Sequence, residues 1–157
     1  EPEASKYPVG DVTQITTWSE AKKALAQGYG IAVCSNVGVA PDRDSNGGAR
    51  ADRSWAHCMC LDGYHVDENT GKEYGHIQNS WGTIYHRGPV GWGDPPESGF
   101  WAEAATVQRM LNEWKDSWAF SAVKGFPSRK IDWYAFHRSM PKKERDRFAL
   151  SLKEFAR

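Results

Sequence analysis

With 157 residues, 39% of them hydrophobic and 25% charged, the chain has the length and composition of one folded globular domain rather than a disordered or collagen-like segment. Twenty Lys and Arg balance twenty Asp and Glu, which excludes a global field drawing the chain onto nucleic acid or an anionic membrane. Its longest apolar stretches, such as residues 30–34, fall far short of the roughly 20 residues of a membrane helix, so neither nucleic acid nor membrane is expected as a partner.

The first ten residues, EPEASKYPVG, carry acids and prolines where a signal peptide would carry basic residues and an apolar run. Thr17-Trp18-Ser19-Glu20 then fits a capping box, in which the Thr hydroxyl and the Glu carboxylate each satisfy backbone amides at a helix start. The helix it predicts runs through AKKALAQ, packs Trp18, Ala21 and Leu25 inward with Ala24 as a further candidate, and stops at Gly28, where a left-handed residue closes a helix at little cost. YGIAVCSNV reads as a buried strand, and residues 41–53, PDRDSNGGARADR, lack periodicity and read as an exposed loop.

Residues 54–66 resume a strand pattern, and ENTG at 68–71 supplies turn chemistry leading into EYGHIQNSW, which predicts two antiparallel strands. Residues 82–99 are rich in Gly and Pro and read as a second long loop. SGFWAEA is a short strand, AATVQRMLNEW a helix and SWAFSAV another strand, an α+β order rather than repeating βαβ units. Pro141 opens an amphipathic tail with Phe148, Leu152 and Phe155 on one face, so the chain divides into a body, residues 1–140, and a C-terminal helix, residues 141–157.

The odd number of cysteines, with Cys58 and Cys60 two apart, does not read as a disulfide framework and leaves the compartment open. Strand alternation puts Trp55, His57 and Met59 on one face and Cys58 and Cys60 on the other, where they are expected in the core. The CxC spacing lacks a zinc knuckle, and His65, His76 and His86 show no paired spacing, so no metal or other cofactor is expected. Eight Trp are read first as core filling and second as cleft lining.

Two segments carry chemistry: SWAHCMCLDGY at 54–64 and HIQNSWG at 76–82. With His57, Gly63, Tyr64, Asn79, Ser80, Trp81 and Gly82 in these positions, they resemble the second half of papain-like cysteine peptidases, where a strand opens on the catalytic His, ends in Gly-Tyr and pairs with a strand ending in Asn-Ser-Trp-Gly. WSEAKKALAQG with YGIAVCSNVG upstream, and GWGDPPESGFW downstream, extend the resemblance over about residues 15–105. The resemblance implies the β-rich right-hand half of that fold, a twisted antiparallel sheet with flanking helices, and hydrolysis of protein or peptide substrates by a Cys-His-Asn mechanism.

The chemistry explains the residue types. A thiol near neutral pH is mostly protonated, so an imidazole must take its proton and hold the resulting ion pair; His57 is the candidate base. An amide oxygen accepting the second ring N–H fixes tautomer and orientation, the role of Asn79, and an indole over that contact excludes water, the role of Trp81. No Cys opening a helix after a Gln, as the family has, can be found upstream of His57. Cys34, in a short strand with no helix dipole to lower its pKa, reads as packing and stands only as a fallback nucleophile. The expected partner is therefore a Cys-bearing half, supplied by a preceding segment or a separate chain. The alternative is a catalytically inactive, papain-fold binding or structural module in a larger assembly.

Overall fold

Helix α1, Trp18–Ala26, begins where its capping box places it. The Thr17 hydroxyl accepts the Glu20 amide at 3.2 Å, and the Glu20 carboxylate accepts the Thr16 and Thr17 amides at 2.9 and 3.0 Å. Trp18, Ala21 and Ala24 form its buried stripe, and Leu25 packs against the core less completely. The computed structural model describes residues 12–120, which all belong to one compact unit. The tail helix expected after Pro141 lies outside the described residues, as do the last three residues of the SWAFSAV strand.

Among the described residues six strands follow the chain as β1 (Val12–Gln14), β2 (Gly30–Val39), β3 (Ala51–Val66), β4 (Glu73–Gln78), β5 (Gly99–Glu103) and β6 (Asp116–Phe120), with helix α2 (Ala104–Glu113) before the last. They form one antiparallel sheet in the order β1-β6-β2-β3-β4-β5, so the class is α+β. Neither helix is long and apolar enough to cross a membrane. Both helices pack on one face of the sheet. Ile31 and Val33 of β2, Met59 and Leu61 of β3, Ile77 of β4 and Phe100 of β5 meet Val107, Met110 and Leu111 of α2 in a single buried cluster. Each of these larger side chains contributes about 1.5–3 kcal/mol by leaving water.

The helix layer is pinned to the sheet by polar contacts as well. The Trp18 indole N–H donates to Glu73 at 2.6 Å, and Lys22 pairs with the same carboxylate at 2.6 Å. Between them Gly75 leaves the space the layer needs: a Cβ there would lie 2.8 Å from Leu61 Cδ1 and 3.0 Å from Val107 Cγ2.

Residues 41–53 depart from the expectation of an exposed loop. Strand β3 already begins at Ala51, opposite Val39, and its first turns are irregular, with register shifts between Ser35 and Val39 and with Arg53 at φ 58°. In each shift β3 spends three residues against two of β2, which bends the strand and sharpens its twist. The connection itself runs along the free edge of β5. Ala49 donates to the Trp101 carbonyl at 2.8 Å, and Trp101 donates to the Gly47 carbonyl at 2.9 Å. For the β2–β3 connection to reach β5 across β3 and β4, the sheet must curl at this end. Arg43 ties the curl shut, donating to the carbonyls of Glu97, Gly99 and Gly88 at 2.9, 2.8 and 2.5 Å.

The cysteines correct the sequence reading. Cys34 and Cys58 are direct partners across β2 and β3 and form a disulfide, and Cys60 is a free, exposed thiol. Alternation along β3 did separate His57 and Met59 from Cys58 and Cys60, but both helices lie on the His57 side. The cysteine face is thus the outer face of the sheet rather than the core.

Candidate functional site

His57 and Trp55 lie on the helix side of β3, toward its bulged beginning, where Met59 and Leu61 have given way to half-buried positions. Asn79 follows the last residue of β4, whose Gln78 pairs with Cys60, and so projects to the same side as His57. The two side chains meet, with His57 Nε2 2.9 Å from Asn79 Oδ1. The Ser80 backbone amide donates to the same oxygen at 2.7 Å. Asn79 is almost wholly buried, at 3% exposure.

Trp81 lies over this contact. Its ring stacks on His57 with centroids 4.5 Å apart and an interplanar angle of 19°. Trp55 and Tyr85 meet the edges of Trp81 at 5.0 and 4.7 Å, an arrangement in which ring quadrupoles attract. Gly82, at φ 81°, turns the chain away directly after the indole. The cover is one-sided, because Trp81 remains 40% exposed and the neighbouring Ile84 83% exposed.

An amide oxygen can only accept, so His57 Nε2 carries a proton and donates it. That leaves Nδ1 with the lone pair, the form in which a neutral imidazole can act as a base. The arrangement can thus take up a proton at Nδ1 and stabilise the imidazolium through Asn79, beneath a ring that lowers the local dielectric.

His86 is the member of the site that the sequence did not point to. It stands in the long loop after β4, is fully buried, and its Nε2 lies 2.9 Å from Asn79 Nδ2. Burial, and after it the Arg43 guanidinium, push its pKa down from 6.5 to about 4, against a weaker pull from the Ala40 backbone. His86 is therefore neutral at pH 7. Nothing local marks it, since its loop has no periodicity and its partners are Asn79 just after β4, Phe100 of β5 at 4.5 Å, and Tyr85 at 4.8 Å.

Cys34 is not brought to this site. Its sulfur is bonded to Cys58 on the outer face, so the fallback nucleophile has no thiol to ionise, a correction to the sequence reading. Cys60 shares that outer face, and partial burial, with Asp62 beside it, pushes its thiol up rather than toward the thiolate. In a second imidazole–carboxylate pair, His76 Nδ1 to Asp62 at 2.5 Å, the carboxylate is exposed but the imidazole is buried: a Cβ on Gly99 would sit 2.3 Å from His76 Nε2. Its place is structural, under Trp101. Among the described residues no group of three or more His, Cys, Asp or Glu is arranged to hold a metal ion.

No protein-family model matches the chain, and no curated protein matches it.

Proposed function

We propose that this chain is the His/Asn half of a papain-like cysteine peptidase, its sheet and helices forming the β-rich half of that fold. His57 is the general base and acid, Asn79 orients it, Trp81 shields the pair, and the nucleophilic Cys comes from a preceding segment or a separate chain. The observation that carries the reading is the His57 Nε2–H donating to Asn79 Oδ1 at 2.9 Å beneath the Trp81 ring, in the sequence setting of NSWG.

In the assembled site, His57 Nδ1 takes the proton of the incoming thiol and the thiolate attacks the carbonyl carbon of a peptide bond. The imidazolium then gives that proton to the departing amine as the C–N bond breaks, leaving a thioester on the Cys. Water attacks the thioester with Nδ1 as base, releasing the acid and restoring the thiol. Throughout, Asn79 keeps the ring turned so that the same nitrogen faces the reacting atoms. The exposed edge formed by Trp81 and Ile84 supports the idea that another body covers this side.

A second reading has its own observation. All three cysteines of the chain lie on the outer face of the sheet, away from His57, and two of them are bonded to each other. A chain so built, with a partner offering no Cys, is an inactive binding or structural module.

Peptide hydrolysis by the native complex, compared with the purified chain alone and with a complex carrying His57→Ala, separates the two. The peptidase reading expects activity only in the unmodified complex. Absence of hydrolysis from a complex whose partner places Ser, Ala or Gly against His57 assigns the chain to the inactive class.

A further inference from the structure

The contacts around Asn79 form a chain whose hydrogen-bond directions follow from one group. The Ser80 backbone N–H can only donate, and it faces an Asn79 side-chain atom at 2.7 Å, so that atom is the oxygen. The NH2 group therefore points the other way, toward His86 Nε2 at 2.9 Å, which must accept and so carries no proton. The same oxygen faces His57 Nε2 at 2.9 Å, which must donate. Turning the Asn79 amide over would set its NH2 against the Ser80 backbone N–H, a donor that cannot change its role.

We propose that His86 is a positioning residue for His57: by accepting from Asn79 Nδ2 it locks the amide in the one orientation that holds the His57 proton on Nε2 and the lone pair on Nδ1. The proposal rests on the reading of His57 as the base, and it adds the residue that sets that base's tautomer through an intermediary. Ser80 anchors the oxygen side of Asn79, and His86 anchors the nitrogen side. His86 suits the task because it is sealed from water between Phe100 and Tyr85 and held neutral by burial and by Arg43, so its acceptor is always presented. His86 touches no reacting atom.

The test is the tautomeric state of the ring nitrogens, read at neutral pH from nitrogen–proton correlations in isotope-labelled full-length chain. In the unmodified protein His57 is the Nε2–H tautomer and His86 the Nδ1–H tautomer. His86→Phe fills the site but removes the acceptor, and the His57 tautomer ratio falls by about tenfold or more, the equilibrium equivalent of one lost buried hydrogen bond. His86→Gln, whose amide oxygen can accept from Asn79, restores it.

A folded His86→Phe protein with an unchanged His57 tautomer overturns the proposal, because Ser80 alone would then hold Asn79. If that variant does not fold, the unmodified protein decides: His86 observed as the Nε2–H tautomer overturns the proposal without any variant. His57 found as the Nδ1–H tautomer in the unmodified protein is a different failure, since it removes the base on which the proposed function depends.

Discussion

Acidification should destabilise this protein through His86 before its carboxylates titrate. The unfolded chain binds a proton at His86 near pH 6.5, whereas the folded chain resists until about pH 4, because burial and then Arg43 oppose the charge. Between those values the unfolded state holds more protons, so stability falls with pH across that window and not below it. A difference of this size is worth about 3 kcal/mol for a group sealed from water. Urea unfolding at intervals from pH 7.5 to 4, run in parallel on the unmodified chain and on His86→Gln, measures it. The unmodified chain should lose about 2–3 kcal/mol more than the variant over the window. Glu20, held low by the Thr16 amide, also contributes to acid loss, but its contribution falls below its ordinary 4.5 and is common to both proteins. Parallel stability curves for the two proteins would refute the claim that His86 is buried and neutral.

Three further outcomes follow from the fold. Thr17→Ala removes one half of the capping box and should lower unfolding stability by about 1 kcal/mol in urea melts, with no effect on the His57 environment. Peptide mapping without reductant should recover Cys34 joined to Cys58 and Cys60 as the one alkylatable thiol. Reduction should cost about 3 kcal/mol, as expected for a cross-link over a sequence separation of 24. Gly75→Ala should destabilise by about 1–3 kcal/mol, because the new methyl meets Leu61, Val107 and Trp18 in a filled layer, and a thermal melt reads this directly.

What the sequence disclosed and what it withheld divide along a physical line. Helix α1 was legible because its start is set by Thr17 and Glu20, three residues apart, whose bonds form within the segment itself. The pairing of β3 with β4 was legible for a similar reason, since ENTG closes a short hairpin and the strands on either side follow from it. The meeting of His57 and Asn79 depends on that hairpin.

The Cys34–Cys58 bond depends instead on the register of β2 against β3 across a connection of more than ten residues, and one of the two irregularities in that register falls on residues that read as loop. Alternation told which cysteines share a face but not which face the helices cover. That is decided by where Val107, Met110 and Leu111 of α2 come to rest. His86 was illegible because its role exists only once the loop after β4 folds back over Asn79, and a buried acceptor in a loop leaves no periodic mark.

The central claim is that His57 completes a thiolate–imidazolium pair with a cysteine brought by another segment or chain. Its most direct test is the pH dependence of alkylation of the partner's cysteine by a small uncharged thiol reagent, in complexes carrying either His57 or His57→Ala. With His57 present the rate should already be high at about pH 4–5 and change little up to pH 8, as for a cysteine whose thiolate is held by an adjacent imidazolium. In the His57→Ala complex the same cysteine should react only as the pH nears about 8.5, the range of an unassisted thiol. A cysteine with the same high-pH profile in both complexes, or a partner with no cysteine at that position, would contradict the account.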